Sequence, residues 1–137
     1  MSDAQLQKNG TCRVKADAFP GFPCRVSLAD AQVGEELILL NFKHLNVTTP
    51  YAASHAIYVR SGVDQSKPTV GEVPDVLSRR LLSIRGFGTD GLMKQANVVE
   101  GATLSDALKL LFQDAEVSFV DIHNAKQGCF AARAKRA

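Results

Sequence analysis

No apolar run in this sequence approaches the roughly 20 residues that a helix needs to span a bilayer, so no membrane partner is expected. The opening Met1-Ser2-Asp3-Ala4-Gln5 lacks the basic and apolar regions of a secretory signal, which makes the cytoplasm the expected location. The three cysteines, Cys12, Cys24 and Cys129, form no CxxC pair, and an odd count without an export signal reads as free thiols. A large excess of either charge is lacking as well. A net +2, with seven Phe and two Tyr scattered along the chain, argues against a nucleic-acid partner, which needs a basic face set with stacking aromatics. Gly86-Phe87-Gly88 lacks the strand-to-helix setting of a phosphate loop. Internal repeats and low-complexity linkers are also missing.

What is present is ample apolar material. Hydrophobic residues make up 45% of 137, enough for one domain with a real core over residues 1–137. A short helix is expected over 3–8, where Ser2 and Gln5 resemble a capping box. Strands are expected over 11–16, 24–28, 36–42 and 55–60. The run Leu37-Ile38-Leu39-Leu40 is apolar on both faces and suits a central strand. The stretches 43–54 and 61–73 read as loops, and Pro74 suits the start of a short helix over 75–80. Residues 81–87 and 92–99 form a hairpin around Thr89-Asp90-Gly91. The register pairing Gly88 with Leu92 is preferred, because it puts Leu82, Ile84, Ala96 and Val98 on one face.

Residues 103–113 carry Leu104, Ala107, Leu108, Leu111 and Phe112 at helical spacing, with Thr103 and Asp106 placed as a cap. A last hairpin runs from Val117 to Arg133 and turns near Gly128. The expected fold class is therefore α+β. It is a mainly antiparallel sheet built from hairpins and closing toward a barrel, with one long amphipathic helix packed on it.

Several phrases stand out along this path. They are Pro20-Gly21-Phe22-Pro23-Cys24-Arg25-Val26-Ser27-Leu28, Gly34-Glu35-Glu36, Pro50-Tyr51, Ala56-Ile57-Tyr58-Val59-Arg60, and His123-Asn124-Ala125 before Gly128-Cys129-Phe130. Together they resemble a family of short bacterial proteins, the domain of unknown function numbered twelve-oh-three. The resemblance runs from about Ser2 to Ala137 and implies a small bacterial cytosolic protein. It also implies further sequence ahead of the equivalent of Ser2, and it brings no reaction, cofactor or partner.

The final hairpin gathers the most varied chemistry. A loop over 124–128 puts His123 opposite Cys129. A turn on Lys126 and Gln127 instead pairs Ala125 with Cys129 and Asp121 with Arg133. Either register leaves Asp121, His123, Cys129 and Arg133 on one face. One reading is catalytic: Cys129 is a nucleophile, His123 takes its proton, and Arg133 steadies the thiolate or an anionic substrate. The plainer reading pairs Asp121 with Arg133 and leaves Cys129 as a small buried hydrophobe.

Cys24, Cys129, His55 and His123 are suitable zinc ligands by atom type, but none has a recognised ligand spacing, so no metal site is assigned. Arg25, Arg60 and Arg85 lie on or beside strands and could bind phosphate or carboxylate, or simply face solvent. Two functions stand side by side. One is a cytosolic domain that binds an anionic small molecule, as an enzyme or not, through Cys129, His123, Arg133, Asp121, Asn124, Tyr51 and Arg60. The other is a non-catalytic interaction protein acting as a homodimer. The residues name no cofactor.

Overall fold

A computed structural model describes residues 4–5, 10–19, 21–60 and 72–136. Among the described residues, seven strands form two antiparallel sheets. The first sheet holds β1 (Cys12–Lys15), β2 (Glu36–Leu45) and β3 (Ala53–Arg60), in the order β1-β2-β3. The second holds β4 (Leu81–Phe87), β5 (Met93–Glu100), β6 (Phe119–Asn124) and β7 (Phe130–Lys135), in the order β5-β4-β6-β7. The helices with described bounds are α1 (Asp75–Ser78) and α2 (Leu104–Leu111).

The expected α+β class, with a long helix on a barrel-like sheet, is overturned. The fold is mostly antiparallel β, its two sheets do not close into a barrel, and α2 has eight residues. The helix shortens at both ends for local reasons. Thr103 does not cap it. Its hydroxyl donates back to the Glu100 carbonyl at 2.9 Å, inside a 3₁₀ turn over Gly101–Thr103. That turn is wedged against α1, since a Cβ at Gly101 would lie 1.9 Å from the Leu77 carbonyl oxygen. At the far end the Asp114 carboxylate accepts the Glu116 amide at 2.9 Å, a local bond that competes with helical continuation.

Other expectations also shift. Residues 24–28 form no strand. The Cys24 amide bonds the Ala29 carbonyl, the Leu28 amide bonds the Cys24 carbonyl, and Leu28 takes φ 53°, so the segment folds into a tight turn. β2 continues past Phe42 to Leu45, which brings His44 out of the expected loop and onto a strand. Only Ala4 and Gln5 of the expected first helix are described, and they are helical; the expected loop over 61–73 lies mostly outside the described residues.

In the β4–β5 hairpin Phe87 pairs with Met93 as preferred, but Gly86 pairs with Gln95, leaving Lys94 as an extra residue. That bulge flips the rest of β5. Leu82 then faces Val99, and Val98 is 57% exposed rather than buried beside Ile84.

The second sheet is covered on both faces. Leu82 and Ile84 of β4, Val120 and Ile122 of β6 and Ala132 of β7 form one core with Val76 and Leu77 of α1 and Leu104 and Leu111 of α2. Alternation sends Arg85, Phe119, Asp121, His123 and Arg133 to the opposite face. There they meet the first sheet, which has its own small cluster of Ala16, Ala31 and Leu37. Coverage on both sides explains why β6 is buried from Val120 through Asn124, polar residues included.

Leu104 is 1% exposed within the core and Leu110 is 63% exposed on the same helix. Leu104→Ala is expected to cost about 2–5 kcal/mol in urea unfolding. Leu110→Ala should stay within about 0.5 kcal/mol of the parent. Equal losses would mean that α2 does not pack by this face.

Candidate functional site

The polar face of β6 meets the end of β2 and the middle of β3. The β2–β3 register slips by one residue between Phe42 and Leu45, in the stretch that holds His44. Bulges of this kind re-aim a side chain. His44 of β2, His55 of β3 and His123 of β6 are all the histidines of the chain, and they converge. One ring nitrogen from each lies within 4.8 Å of the others. His44 Nε2 and His55 Nδ1 are 2.7 Å apart, and the His123 ring stands edge-on to both, with centroids at 4.9 and 5.0 Å. His44 also stacks on Phe130 at 4.4 Å.

Asp121 organises this cluster. Its carboxylate is fully buried. It accepts Arg133 Nε at 2.7 Å and Nη2 at 3.2 Å, and His44 Nδ1 at 3.3 Å. Arg133 Nη2 also donates to the His44 carbonyl at 2.8 Å, and the guanidinium lies 4.3 Å over the Phe119 ring. Of the two registers open for this hairpin, the one pairing Asp121 with Arg133 is present at these residues.

His123 and Cys129 are arranged otherwise. A bulge between Ile122 and His123 pairs His123 with Phe130. His123 Nδ1 faces the Gly128 carbonyl at 3.0 Å, and its Nε2 is buried with no hydrogen-bond partner, so neither ring nitrogen bonds the Cys129 thiol. Burial pushes His123 down to about 4, against the opposing pull of the Gly128 carbonyl. Burial likewise lowers His44, with Asp121 opposing, and lowers His55, where the Arg85 charge adds to the effect.

Next to the cluster, on the other side of Phe130, lies a cleft of about 760 Å³. Residues 124–127 and Cys129 at the tip of the last hairpin form one wall, and Cys24, Arg25, Ile57 and Tyr58 form another. Cys24 is 1% exposed, and its sulfur accepts the amides of Arg60 at 3.2 Å and Ser27 at 3.4 Å. Burial pushes this thiol up. Those amides, that of Val26 and the Ser27 hydroxyl more than offset it, so the thiol ionises below its ordinary value. Arg79 and Arg80, also on the cleft, are matched by the buried Asp30, at 3.0 Å from Arg79 Nη1 and 3.1 Å from Arg80 Nη1.

Arg25 is not matched. Its guanidinium lies 4.7 Å over Phe130 and forms no ion pair among the described residues, and its Nε is buried without a partner. Burial, then the Arg133 charge, pulls Arg25 below its ordinary value. Asn124 Oδ1, also at the cleft, is buried without a partner.

The remaining candidates lie elsewhere, on or between strands of the two sheets. Arg60 pairs with Glu35 at 2.7 Å, and Tyr51 is exposed and packs edge-on against Phe87. Arg85 Nε donates to Ser83 at 3.2 Å. The sequence reading missed His44 as a site residue. Asn41-Phe42-Lys43-His44-Leu45 has no regular apolar–polar alternation, so no local signal places His44 on a strand.

A histidine that is buried neutral opposes acid. The unfolded chain takes up a proton near 6.5, whereas folded His123 does so only near 4. The stability tied to His123 is therefore complete above pH 6.5 and falls as pH drops toward 4. With a chelator present, urea unfolding between these limits should lose on the order of 3 kcal/mol from this group. His123→Gln should flatten that slope, and an unchanged slope would assign it to other groups.

No curated protein and no solved structure matches this chain. Among the described residues no helix is long and apolar enough to cross a membrane. A family model described as a protein of unknown function, DUF1203, matches residues 21–136, the span that supplies both the cleft and the histidine cluster. The chain belongs to that family.

Proposed function

We propose that this chain is a binding domain for a small organic anion, seated in the inter-sheet cleft against Arg25. The observation that carries this reading is Arg25, which lines the cleft, forms no ion pair among the described residues and has a buried Nε with no acceptor. A buried donor without a partner costs about 1–3 kcal/mol, and a charged one more, so the fold holds a cation that a carboxylate or phosphate would satisfy. Phe130 beneath the guanidinium fixes its plane and leaves the edge with the N–H groups for a ligand.

Two further features narrow the ligand. Leu28, Leu39, Ile57 and Tyr58 line the same cleft, so an apolar body fits beside the charge. Asn124 Oδ1 needs a donor, so a ligand carrying its own N–H or O–H group gains a second bond. The volume, about 760 Å³, suits a molecule larger than an inorganic ion.

Phenylacetate and octanoate, each set against its neutral amide, test the reading by calorimetry and thermal shift. The carboxylates should bind saturably and the amides should not. Arg25→Gln should weaken carboxylate binding roughly 10- to 100-fold, which corresponds to one lost charged hydrogen bond. Amides binding as well as acids, or a folded Arg25→Gln protein that binds as well as the parent, would overturn it.

A further inference from the structure

We propose that His44, His55 and His123 together form a binding site for a divalent transition metal of the zinc or cobalt type. In it Asp121 orients His44, the Gly128 carbonyl orients His123, and at least one coordination position is left to a further ligand. This goes beyond the anion cleft and does not depend on it, since none of the three imidazoles lines that cleft.

The donor set is the first support. Three imidazoles with an open position make a common catalytic zinc arrangement, and imidazole also suits cobalt, nickel and copper. Around a tetrahedral ion with bonds of about 2.0–2.1 Å, ligand nitrogens sit about 3.3 Å apart. The three nitrogens here lie within 4.8 Å of one another, and the shortest separation is 2.7 Å. Small side-chain shifts bring them to the required spacing.

The outer partners are the second support. A metal-bound histidine commonly donates its other ring N–H to a carboxylate or carbonyl, which fixes the tautomer. His44 has Asp121 on Nδ1, and His123 has the Gly128 carbonyl on Nδ1. Both partners keep the proton on Nδ1 and leave the Nε2 lone pair free. His44 Nε2 now faces His55 Nδ1, which must therefore carry the proton of that bond. Moving that proton to His55 Nε2 turns a third lone pair inward and releases no net proton.

The third support is His123 Nε2. It belongs to a side chain 1% exposed, and it has no hydrogen-bond partner. Hydrogen bonding within a packed histidine cluster accounts for His44 and His55 but leaves this lone pair unused. A metal uses it.

The surrounding charge indicates the further ligand. Arg85 acts on His55 and His123, Arg133 acts on His44, and Asp121 is the carboxylate bonded to the cluster. A dication added there favours an anionic partner, hydroxide or a carboxylate, over a neutral one.

Chelator-treated protein titrated with zinc chloride, and separately with cobalt(II) chloride, tests the site. One equivalent should bind at micromolar metal. The cobalt form should show the intense visible bands of a four- or five-coordinate centre without a thiolate charge-transfer band. Asp121→Asn should weaken binding by about 10- to 100-fold, and His55→Gln, at a half-buried position, by more. Arg25→Gln should leave metal binding unchanged, so the cleft reading and this one fail separately. If the variants misfold, histidine-selective NMR of the unaltered protein decides: zinc must shift the signals of all three imidazoles. No saturable binding at millimolar metal would overturn the proposal. So would a thiolate band, which would move the metal to the cysteines, or unaltered binding in a folded His55→Gln protein.

Discussion

The buried Asp121 carboxylate is the interaction on which the arrangement of the two sheets depends. It sits on β6, accepts two bonds from Arg133 on the neighbouring strand, and takes a third from His44 on the other sheet. Arg133 completes the link by donating to the His44 backbone carbonyl. A charge in this position is tolerated only while it is paired and hydrogen-bonded, and stripping either partner from such a pair typically costs about 3–5 kcal/mol. The same bonds that offset the burial of the carboxylate fix the angle of the His44 ring. One side chain therefore both links the two sheets and orients an imidazole.

The second sheet separates two kinds of stability by face. Toward the helices it presents Leu82, Ile84, Val120 and Ile122, a non-directional apolar layer that tolerates small adjustments. Toward the first sheet it presents Asp121, His123 and Arg85, whose partners are set by distance and angle. A strand covered on both sides in this way is rigid, because neither face can relax into water. Groups held on such a strand are well placed for binding, where an ordered set of donors lowers the cost of assembling them around a ligand. Phe130 ties the two candidate sites together, with His44 stacked on it and the Arg25 guanidinium over its ring.

Much of the chain was legible in its residues because the signals were local. The apolar Leu37–Leu40 run of β2, the β-branched and aromatic residues of β3 and β6, and the Gly128 and Gly91 reversals with φ 82° and 75° were readable locally, and one of the two registers open for the last hairpin pairs Asp121 with Arg133. The family was legible too, from phrases such as Pro23-Cys24-Arg25 and His123-Asn124-Ala125. Failures came where one residue was inserted or one competing bond formed. The Lys94 bulge reversed the expected face of β5, and the bulge between Ile122 and His123 separated His123 from Cys129. The helix over 103–113 had the right apolar spacing, yet Thr103 bonded backward and the Asp114 turn ended it early.

By itself, then, the sequence determined the alternating strands, the reversals, the amphipathic stretch behind α2 and the family, since each rests on neighbours within a few residues. Tertiary structure alone decided that the strands form two sheets rather than one curved surface, and that His44, His55 and His123 share a point in space. Linear spacing could not foretell that meeting: 11 positions separate His44 from His55, and His123 lies on the other sheet. Their convergence depends on how two sheets stack and where single-residue bulges fall, and both are settled by packing over the whole chain.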